Sequence, residues 1–248
     1  MNIENLIIGR QPVLEALKAH QLIEKIIILQ GTSGSQISRI KQLAKTLNIP
    51  IQELENRQFS EITPDANSQG IIAFIDSYHY VDIEDIISIA QKRSESPFIL
   101  ILDEIEDPHN LGALIRTAEC AGVHGIIIPM HHTASVNATV TKTSAGATAH
   151  IAIARVTNIV QIMNELKKKG IWIVGTEISG DKSYIDQDYS GPLAIVIGNE
   201  GRGIRRLVKE KCDFLVRIPM RGKIESLNAS VAGALVIFEA LKDRNKSS

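Results

Sequence analysis

The chain has 248 residues, 44% of them hydrophobic, and a formal net charge of −1 at pH 7. This length allows one large domain or two modest domains, and the composition is typical of a soluble globular protein. No apolar run approaches the ~18 residues of a membrane span, no signal peptide is visible, and two cysteines are too few for a disulfide framework or a zinc site. We therefore expect a cytoplasmic protein with no membrane partner and no metal.

The first part of the chain, residues 1–76, alternates short apolar runs with helical patterns. A proline in the first turn predicts a helix over 12–19, and apolar residues at helical spacing predict another over 35–47. Strands are predicted over 6–8, 25–29, 49–54 and 70–75. This pattern predicts a small α/β domain, followed by a linker over 77–97 that includes a helix over 82–90.

The second part, residues 98–248, repeats the succession of a strand, a polar loop and a helix. Strands are predicted over 98–102, 125–128, 150–154, 171–174, 193–197 and 214–218. Helices are predicted over 111–121, 136–146, 158–169 and 226–242. Because the strands are apolar throughout, we expect a parallel sheet with helices on both faces. Ligands of such a sheet bind beyond the carboxyl ends of its strands, where the polar loops lie.

The loop after the strand over 98–102 leads into Asn110 and Arg116. Asn110 stands where the next helix should begin, so its side chain either caps that helix or belongs to a site. Arg116 follows about two turns later. It is either solvated or within reach of the loop at the strand end.

A glycine-rich loop, GNEGRG at residues 198–203, follows the strand over 193–197. Its three glycines permit a tight turn and a close approach of the backbone to a ligand. The spacing matches neither GxGxxG nor GxxxxGK[ST], so the glycines alone do not identify the ligand. Unless it is simply solvated, Glu200 is the carboxylate best placed for acid–base chemistry or for orienting a hydroxyl.

The last helix opens with SLNAS at residues 226–230. Ser226 fits the N-cap position, which leaves Asn228 as a second polar group in the first turn, where backbone N–H groups can bind an acceptor. Upstream, the pair His131–His132 has no third ligand at metal spacing and is predicted to lie in a loop, and Cys120 is predicted to lie in the core. Eight basic and two acidic residues between 202 and 223 either meet phosphates or form a solvated surface.

Three segments together resemble a known family: NLGALIRTAECAG (110–122), IGNEGRGI (197–204) and IPMRGKIESLNASVAGAL (218–235). In this order they are similar to the three motifs of the SpoU, or TrmH-type, RNA ribose 2′-O-methyltransferases of the SPOUT class, over about residues 98–243. The segments IIGRQPVLEAL (7–17) and QGIIAFI (69–75) resemble the ribosomal-protein-like substrate-binding domain in front of this catalytic domain in RlmB-type 23S rRNA guanosine-2′-O-methyltransferases.

The resemblance implies an RNA substrate-binding domain over 1–76 and a methyltransferase domain over 98–248 with a deep trefoil knot. It also implies a homodimer, S-adenosylmethionine as the cofactor and large-subunit rRNA as the partner. By position, it assigns cofactor contacts to Thr176, Gly198, Ile218, Met220 and Leu227. It assigns substrate and catalytic roles to Asn110, Arg116, Glu200, Ser226 and Asn228.

The implied reaction is an in-line methyl transfer to a ribose 2′-hydroxyl, in this case of a guanosine. Family proposals assign the general base to Arg116, but a guanidinium is effectively never deprotonated in a protein. We therefore expect Arg116 to hold the phosphate beside the target ribose, and Glu200 either to take the proton or to position Arg116.

Three alternatives to this reading remain at the level of sequence. The first is the same chemistry on tRNA, against which the front domain argues, because tRNA-acting relatives usually lack it. The second is a non-catalytic RNA-binding protein. The third is a nicotinamide-dependent dehydrogenase, which would require GxGxxG after the strand over 98–102, where the sequence is DEIEDPHN.

Overall fold

The computed structural model of the chain describes residues 6–18, 23–62, 68–75, 78–223 and 226–246. The chain divides into two compact units, residues 1–78 and 79–248. Among the helices of the described residues, none combines the length and the apolar character of a membrane span.

The first unit is built on a four-stranded sheet in the order β1-β4-β2-β3. Its strands are β1 (Leu6–Ile8), β2 (Ile23–Leu29), β3 (Ile51–Leu54) and β4 (Ile71–Ile75), and its helices are α1 (Arg10–Lys18), α2 (Ser35–Thr46) and α3 (Asn56–Ile62). Strand β4 is antiparallel to β1 and β2, whereas β3 is parallel to β2. The predicted small α/β arrangement is therefore present.

Helices α1 and α2 pack on this sheet through a core that includes Val13, Ile26, Ile40 and Ile71, each fully buried. Helix α1 begins two residues before the predicted helix over 12–19, whose last residue lies outside the described part of the chain. Helix α3 was not predicted, because it buries only Phe59 and therefore lacks an apolar stripe.

The second unit contains a seven-stranded sheet in the order β7-β6-β5-β10-β8-β11-β9. Its strands are β5 (Phe98–Asp103), β6 (Gly125–Pro129), β7 (Ala152–Val156), β8 (Trp172–Thr176), β9 (Lys182–Ser183), β10 (Leu193–Gly198) and β11 (Phe214–Arg217). Its helices are α4 (Ile83–Lys92), α5 (Pro108–Cys120), α6 (Ala138–Thr143), α7 (Ile159–Lys168), α8 (Arg206–Lys209) and α9 (Ala229–Lys246). All neighbouring strands are parallel, which confirms the predicted parallel sheet.

The centre of the sheet consists of β5 and β10, in which every residue is buried. Residues 79–97, predicted as most of a linker, belong to the second unit: Val81 forms a bridge to Ala154, and Ile86 of α4 is fully buried in the core. The amphipathic face of α4 needs an apolar surface to cover, and β7 provides it.

Three predictions in this unit need correction. The helix predicted over 136–146 is only α6 followed by a 3₁₀ turn at Ala147–Ala149, and the helix predicted over 226–242 begins at Ala229. Cys120 is exposed rather than in the core. It lies two positions after the buried Ala118, and two positions along a helix turn a side chain to the opposite face.

Candidate active site

Three adjacent strands of the large sheet, β10, β8 and β11, end at the same edge. Because they are parallel neighbours, their last residues Gly198, Thr176 and Arg217 lie side by side. Polar loops follow two of these ends, and the segment after β11 leads back into α9. The sequence elements that carry the motifs therefore meet at one place.

Close packing of α9 on α5 brings the starts of these two helices together. A Cβ added at Gly233 of α9 would lie 2.4 Å from Cδ2 of Leu114 in α5 and 3.5 Å from Cγ1 of Ile197 in β10. Only a glycine allows the two helices to approach this closely. The approach places Asn110 of α5 beside Asn228, the residue before α9.

A cavity of about 310 Å³ opens at this edge. Its walls combine apolar side chains, among them Ile178 and Ile197, with the loop over 198–203 and the carboxylate of Glu177. All five residues to which the sequence assigned cofactor contacts line it: Thr176, Gly198, Ile218, Met220 and Leu227. Glu200 and Ser226 line it as well. The volume and the mixture of apolar walls with a few polar groups are typical of a small-molecule site.

A chain of side-chain hydrogen bonds runs along one side of the site. Asn110 donates a short hydrogen bond from Nδ2 to Oε1 of Glu200. The Oδ1 atom of the same Asn110 accepts from Nδ2 of Asn228 at 2.9 Å. This chain joins the loop after β10 to the starts of α5 and α9, and it leaves the other carboxylate oxygen of the exposed Glu200 without a hydrogen bond among the described residues.

The helix caps differ from those predicted. Helix α5 is capped by Asp107, whose side chain accepts from the backbone N–H of His109, with Pro108 in the first turn. Asn110 is therefore free of the capping role and is buried inside the helix start. Asn228, not Ser226, caps α9, because its Oδ1 accepts from the backbone N–H groups of Ser230 and Val231. Capping orients Asn228 so that its amide nitrogen reaches Asn110.

The loop over 198–203 is folded tightly on itself. Asn199 and Gly203 exchange backbone hydrogen bonds of 3.1 and 2.8 Å, and Oδ1 of Asn199 accepts from the backbone N–H of Gly201. A Cβ at Gly198 would lie 2.3 Å from the backbone carbon of Gly203, so no larger residue fits at that position. The loop thus presents Glu200 at its tip while keeping the backbone against the cavity.

An ion pair between the buried Asp103 and the exposed Arg205 holds the loop and was missed in the sequence. Asp103, the last residue of β5, is fully buried and accepts from Nε of Arg205 at 2.8 Å and from the Arg205 backbone N–H at 2.9 Å. Glu104, with φ of 62°, accepts at its carbonyl oxygen from Nδ2 of Asn199. The adjacent acids at the end of the strand, in the segment DEIED, were the available signal. Through these hydrogen bonds, Asp103 and Glu104 hold the loop that carries Glu200.

Asn110, Asn228 and Arg116 are the predicted site residues that do not line the cavity. Asn110 and Asn228 are joined to the lining residue Glu200 by hydrogen bonds. Arg116 is exposed on α5. Ser226 does line the cavity and is exposed. The Thr176 hydroxyl donates to the carbonyl oxygen of Val196 at 2.9 Å, so that hydroxyl is already engaged within the sheet. The functional roles of these residues remain predictions.

Burial raises the pKa of Cys212, which packs against Gly175 of β8, to about 12, so its thiol is protonated at neutral pH. Among the described residues, no group of three or more histidine, cysteine or acidic side chains could hold a metal ion. The polar groups beside the cavity include the carboxylates of Glu177 and Glu200 and, joined to Glu200, the amides of Asn110 and Asn228.

Comparison with known proteins identifies the family. Residues 97–238 match the model of the SpoU rRNA Methylase family, and residues 6–81 match the model described as RNA 2′-O ribose methyltransferase substrate binding. A Bacillus subtilis (strain 168) protein named "Putative TrmH family tRNA/rRNA methyltransferase YacO" is 43% identical over 239 residues, which cover 96% of each chain.

Two solved structures share the architecture over most of the chain. The AdoMet-bound rRNA methyltransferase from Sinorhizobium meliloti is 26% identical, with a TM-score of 0.58 over 96% of this chain and 87% of that one. The SpoU methyltransferase AviRb from Streptomyces viridochromogenes, 24% identical with a TM-score of 0.61 over 98% and 91% of the two chains, supports the fold. The family model and the closely similar relative together show that this chain belongs to the SpoU/TrmH family of RNA methyltransferases.

Proposed function

We propose that this protein transfers a methyl group from S-adenosylmethionine to the 2′-hydroxyl of a guanosine ribose in large-subunit (23S) rRNA. The observation that carries the proposal is the hydrogen-bonded chain Glu200–Asn110–Asn228 at the side of the cavity. It places a carboxylate with one unengaged oxygen next to a site of the size and polarity that a small cofactor needs.

The residues that line the cavity fit S-adenosylmethionine. Ile218 and Leu227 provide an apolar surface for the adenosyl group, Gly198 allows close approach to the backbone, and Met220 and Thr176 complete the lining. Two carboxylates, Glu177 and Glu200, are also part of the lining and favour a cationic ligand. The S. meliloti relative, with AdoMet bound, supports the same cofactor here.

When bound, this cofactor supplies a methyl group already activated on a sulfonium, so the protein has to align the hydroxyl and manage its proton. Glu200 accepts the hydroxyl proton or orients the hydroxyl through its free oxygen. Asn110 donates to Glu200 and holds it in one orientation, and Asn228 holds Asn110. Arg116 binds the phosphate beside the target ribose and favours the developing alkoxide, and Ser226 binds the substrate.

The choice of rRNA is supported by the first unit. The match of residues 6–81 to a substrate-binding model supports an RNA contact by that unit, which we propose as the RNA substrate-binding domain. Methylation of tRNA is the second candidate, favoured by the name of the B. subtilis relative, which includes both RNA classes. Both reactions belong in the cytoplasm, where the two free cysteines would stay reduced.

We further propose a homodimer in which the groove between α5 and α9 meets the same groove of a second copy. The groove is lined by Val231, Leu235 and Phe238 of α9, which are 48%, 38% and 49% exposed, and by Ala113 and Thr117 of α5. A contiguous apolar surface of this kind is typical of a subunit interface. Arg116, next to Thr117, would then lie at the edge of that interface. The deep trefoil knot implied by the sequence stays part of this proposal.

The decisive experiment incubates the full chain with methyl-labelled S-adenosylmethionine and either unmodified 23S rRNA or unmodified tRNA. We expect label in the ribose of a single guanosine of the rRNA, and none with Glu200→Gln. Label in tRNA alone would replace the first candidate by the second. Binding of RNA without transfer would show a non-catalytic RNA-binding protein and contradict both.

A further inference from the structure

A second groove opens at the carboxyl edge of the large sheet, beside the cavity but separate from it. It lies beyond the ends of β6 and β7, between the loop that carries His131 and His132, the start of α7, and the turn over 205–208. The cavity lies beyond the ends of β10, β8 and β11. Because only β5 stands between β6 and β10, the two sites are about two strand spacings apart, roughly 10 Å.

The groove has a basic lining. Its charged or titratable residues are His131, His132, Arg205 and Arg206, and no carboxylate is among the described residues that line it. Arg205 is engaged with the buried Asp103. Among the described residues, Arg206 pairs with Glu210, four positions further along the chain, at 2.8 Å, and its side chain is 80% exposed. Exposed pairs of this kind are weak, so the Arg206 guanidinium is available to a phosphate.

The same groove has flat and apolar surfaces. Leu207 is 56% exposed, which is unusual for a leucine next to two arginines, and Val160 lies on the opposite side. His131 is partly buried there: burial lowers its pKa, as do the positive charges of Arg155 and His132, so its ring is neutral at pH 7. An imidazole ring is a surface on which an unpaired base can stack, and aliphatic side chains beside it can pack against that base.

One turn of the chain connects this groove to the loop over 198–203, which carries Glu200. Arg205 lines the groove and follows the loop over 198–203 by two residues, and Asp103 fixes both its backbone N–H and its guanidinium. Arg202, within that loop, lies 3.8 Å from Glu104. The groove and Glu200 therefore stand on opposite sides of a single anchored turn. A polymer whose ribose reaches Glu200 has this groove about two strand spacings away, roughly 10 Å.

We propose that this groove binds the single-stranded RNA nucleotides next to the methylated one, with Arg206 contacting a phosphate and Leu207 contacting a base. This inference rests on the proposed function and adds the path of the substrate. The basic rim, the lining without a carboxylate among the described residues, and the imidazole rings beside aliphatic side chains together match single-stranded RNA. The groove thus contributes to the choice of the sequence that flanks the target.

The test uses the full chain with Arg206→Ala, Leu207→Ala and, as a matched control, Lys168→Ala, which removes an exposed cation at the far end of α7. Binding of a fluorescent single-stranded fragment of 23S rRNA and the steady-state kinetics of methyl transfer are measured. We expect a rise of about tenfold in Kd and KM for RNA in the two groove variants, with kcat and cofactor Kd unchanged. Lys168→Ala should behave as the wild type.

A second pair of measurements separates RNA contact from a structural role. Arg206→Ala should reduce the dependence of log Kd on log salt by roughly 0.7, the value for one phosphate contact of a single strand. Glu210→Ala removes the partner of Arg206 and should tighten RNA binding, whereas a structural ion pair would make both variants alike. Unchanged RNA affinity in both groove variants would overturn the proposal that this groove binds RNA. If the wild type binds RNA through the groove but transfers no methyl group, the proposed function is wrong and the proposal of an RNA-binding groove is upheld.

Discussion

Asn228 donates a hydrogen bond from Nδ2 to Oδ1 of Asn110 at 2.9 Å, across 118 positions of sequence. Asn110 in turn donates to Glu200, so two amides fix the orientation of one carboxylate. The acceptor side of Asn228 is held by the first turn of α9. The position of the start of α9 therefore helps to set the position of Glu200, the proposed proton acceptor.

Asn110→Asp should lower kcat about 100-fold, the equivalent of about 2.7 kcal/mol, with little change in cofactor affinity. The substitution keeps the shape but replaces the N–H donor that faces Glu200 by a second carboxylate, which repels it. Single-turnover methyl transfer and calorimetric titration of the cofactor measure the two quantities. Asn137→Asp, at the cap of α6, is the control. Equal losses in the two variants would contradict the role of Asn110.

Gly198→Ala should weaken cofactor binding by at least about tenfold, because the new Cβ would lie 2.3 Å from the Gly203 backbone and would push the loop out of place. Gly201→Ala is the matched control in the same loop. The nearest atom to its added Cβ is Oδ1 of Asn199, at 3.6 Å. Calorimetry with S-adenosylmethionine decides, after circular dichroism has shown that both variants are folded. Similar cofactor affinities for the two variants would contradict a role of the loop over 198–203 in cofactor binding.

Arg116→Ala should abolish transfer, because it removes the proposed contact to the phosphate beside the target ribose. Cofactor binding should stay nearly intact, because Arg116 is exposed and lies outside the cavity lining. We expect a loss of at least about 100-fold in kcat/KM for RNA, as for other groups that stabilise developing charge. Arg93→Ala, an exposed arginine at the end of α4, provides the comparison. A parallel loss of cofactor affinity would rule out the phosphate-binding role.

Leu235→Glu should convert the proposed dimer into a monomer. Leu235 is 38% exposed in the groove between α5 and α9, and an unpaired charge buried at a subunit interface is strongly destabilising. Leu207→Glu, which changes an exposed leucine outside that groove, should leave the mass unchanged. Light scattering after size-exclusion chromatography gives the answer. A wild type that already elutes as a monomer would remove the dimer proposal.

The buried His124 should make stability fall as the pH drops below about 6.5. Burial lowers the pKa of His124, against an opposing contribution from Glu95, so the folded protein resists protonation where the unfolded chain accepts a proton. Stability is therefore complete above the unfolded pKa and declines on acidification by at most ~1.4 kcal/mol per pH unit for this group.

Urea unfolding between pH 5.5 and 7.5 tests this prediction. His124 accepts from the Phe98 backbone N–H at 2.9 Å, and His124→Asn keeps an acceptor near that position. The variant should be less stable at pH 7.5 but have a shallower pH dependence. An unchanged slope would assign the acid sensitivity to other groups.

The elements that carry the site could be predicted from local sequence alone. Strands β5 and β10 are apolar along their whole length, and this pattern correctly predicted a parallel sheet with its loops at the carboxyl edge. The SPOUT-type motifs correctly indicated the family, because glycine and asparagine at fixed spacings reflect backbone geometry that few sequences share. The cap of α9 was misassigned to Ser226, and capping of α5 by Asn110 was left open, because several residues near a helix start suit the cap position and only the fold shows which one caps.

The sequence by itself therefore determined the type and order of most strands and of the longer helices, because local periodicity and composition reflect burial and backbone conformation. Only the tertiary structure decided which residues of these elements touch. The pair Asn110–Asn228 depends on the approach of α9 to α5 at Gly233, and the pair Asp103–Arg205 depends on the neighbouring positions of β5 and β10 in the sheet. Contacts of such long sequence separation follow from how whole elements pack, and no local pattern of residues encodes them.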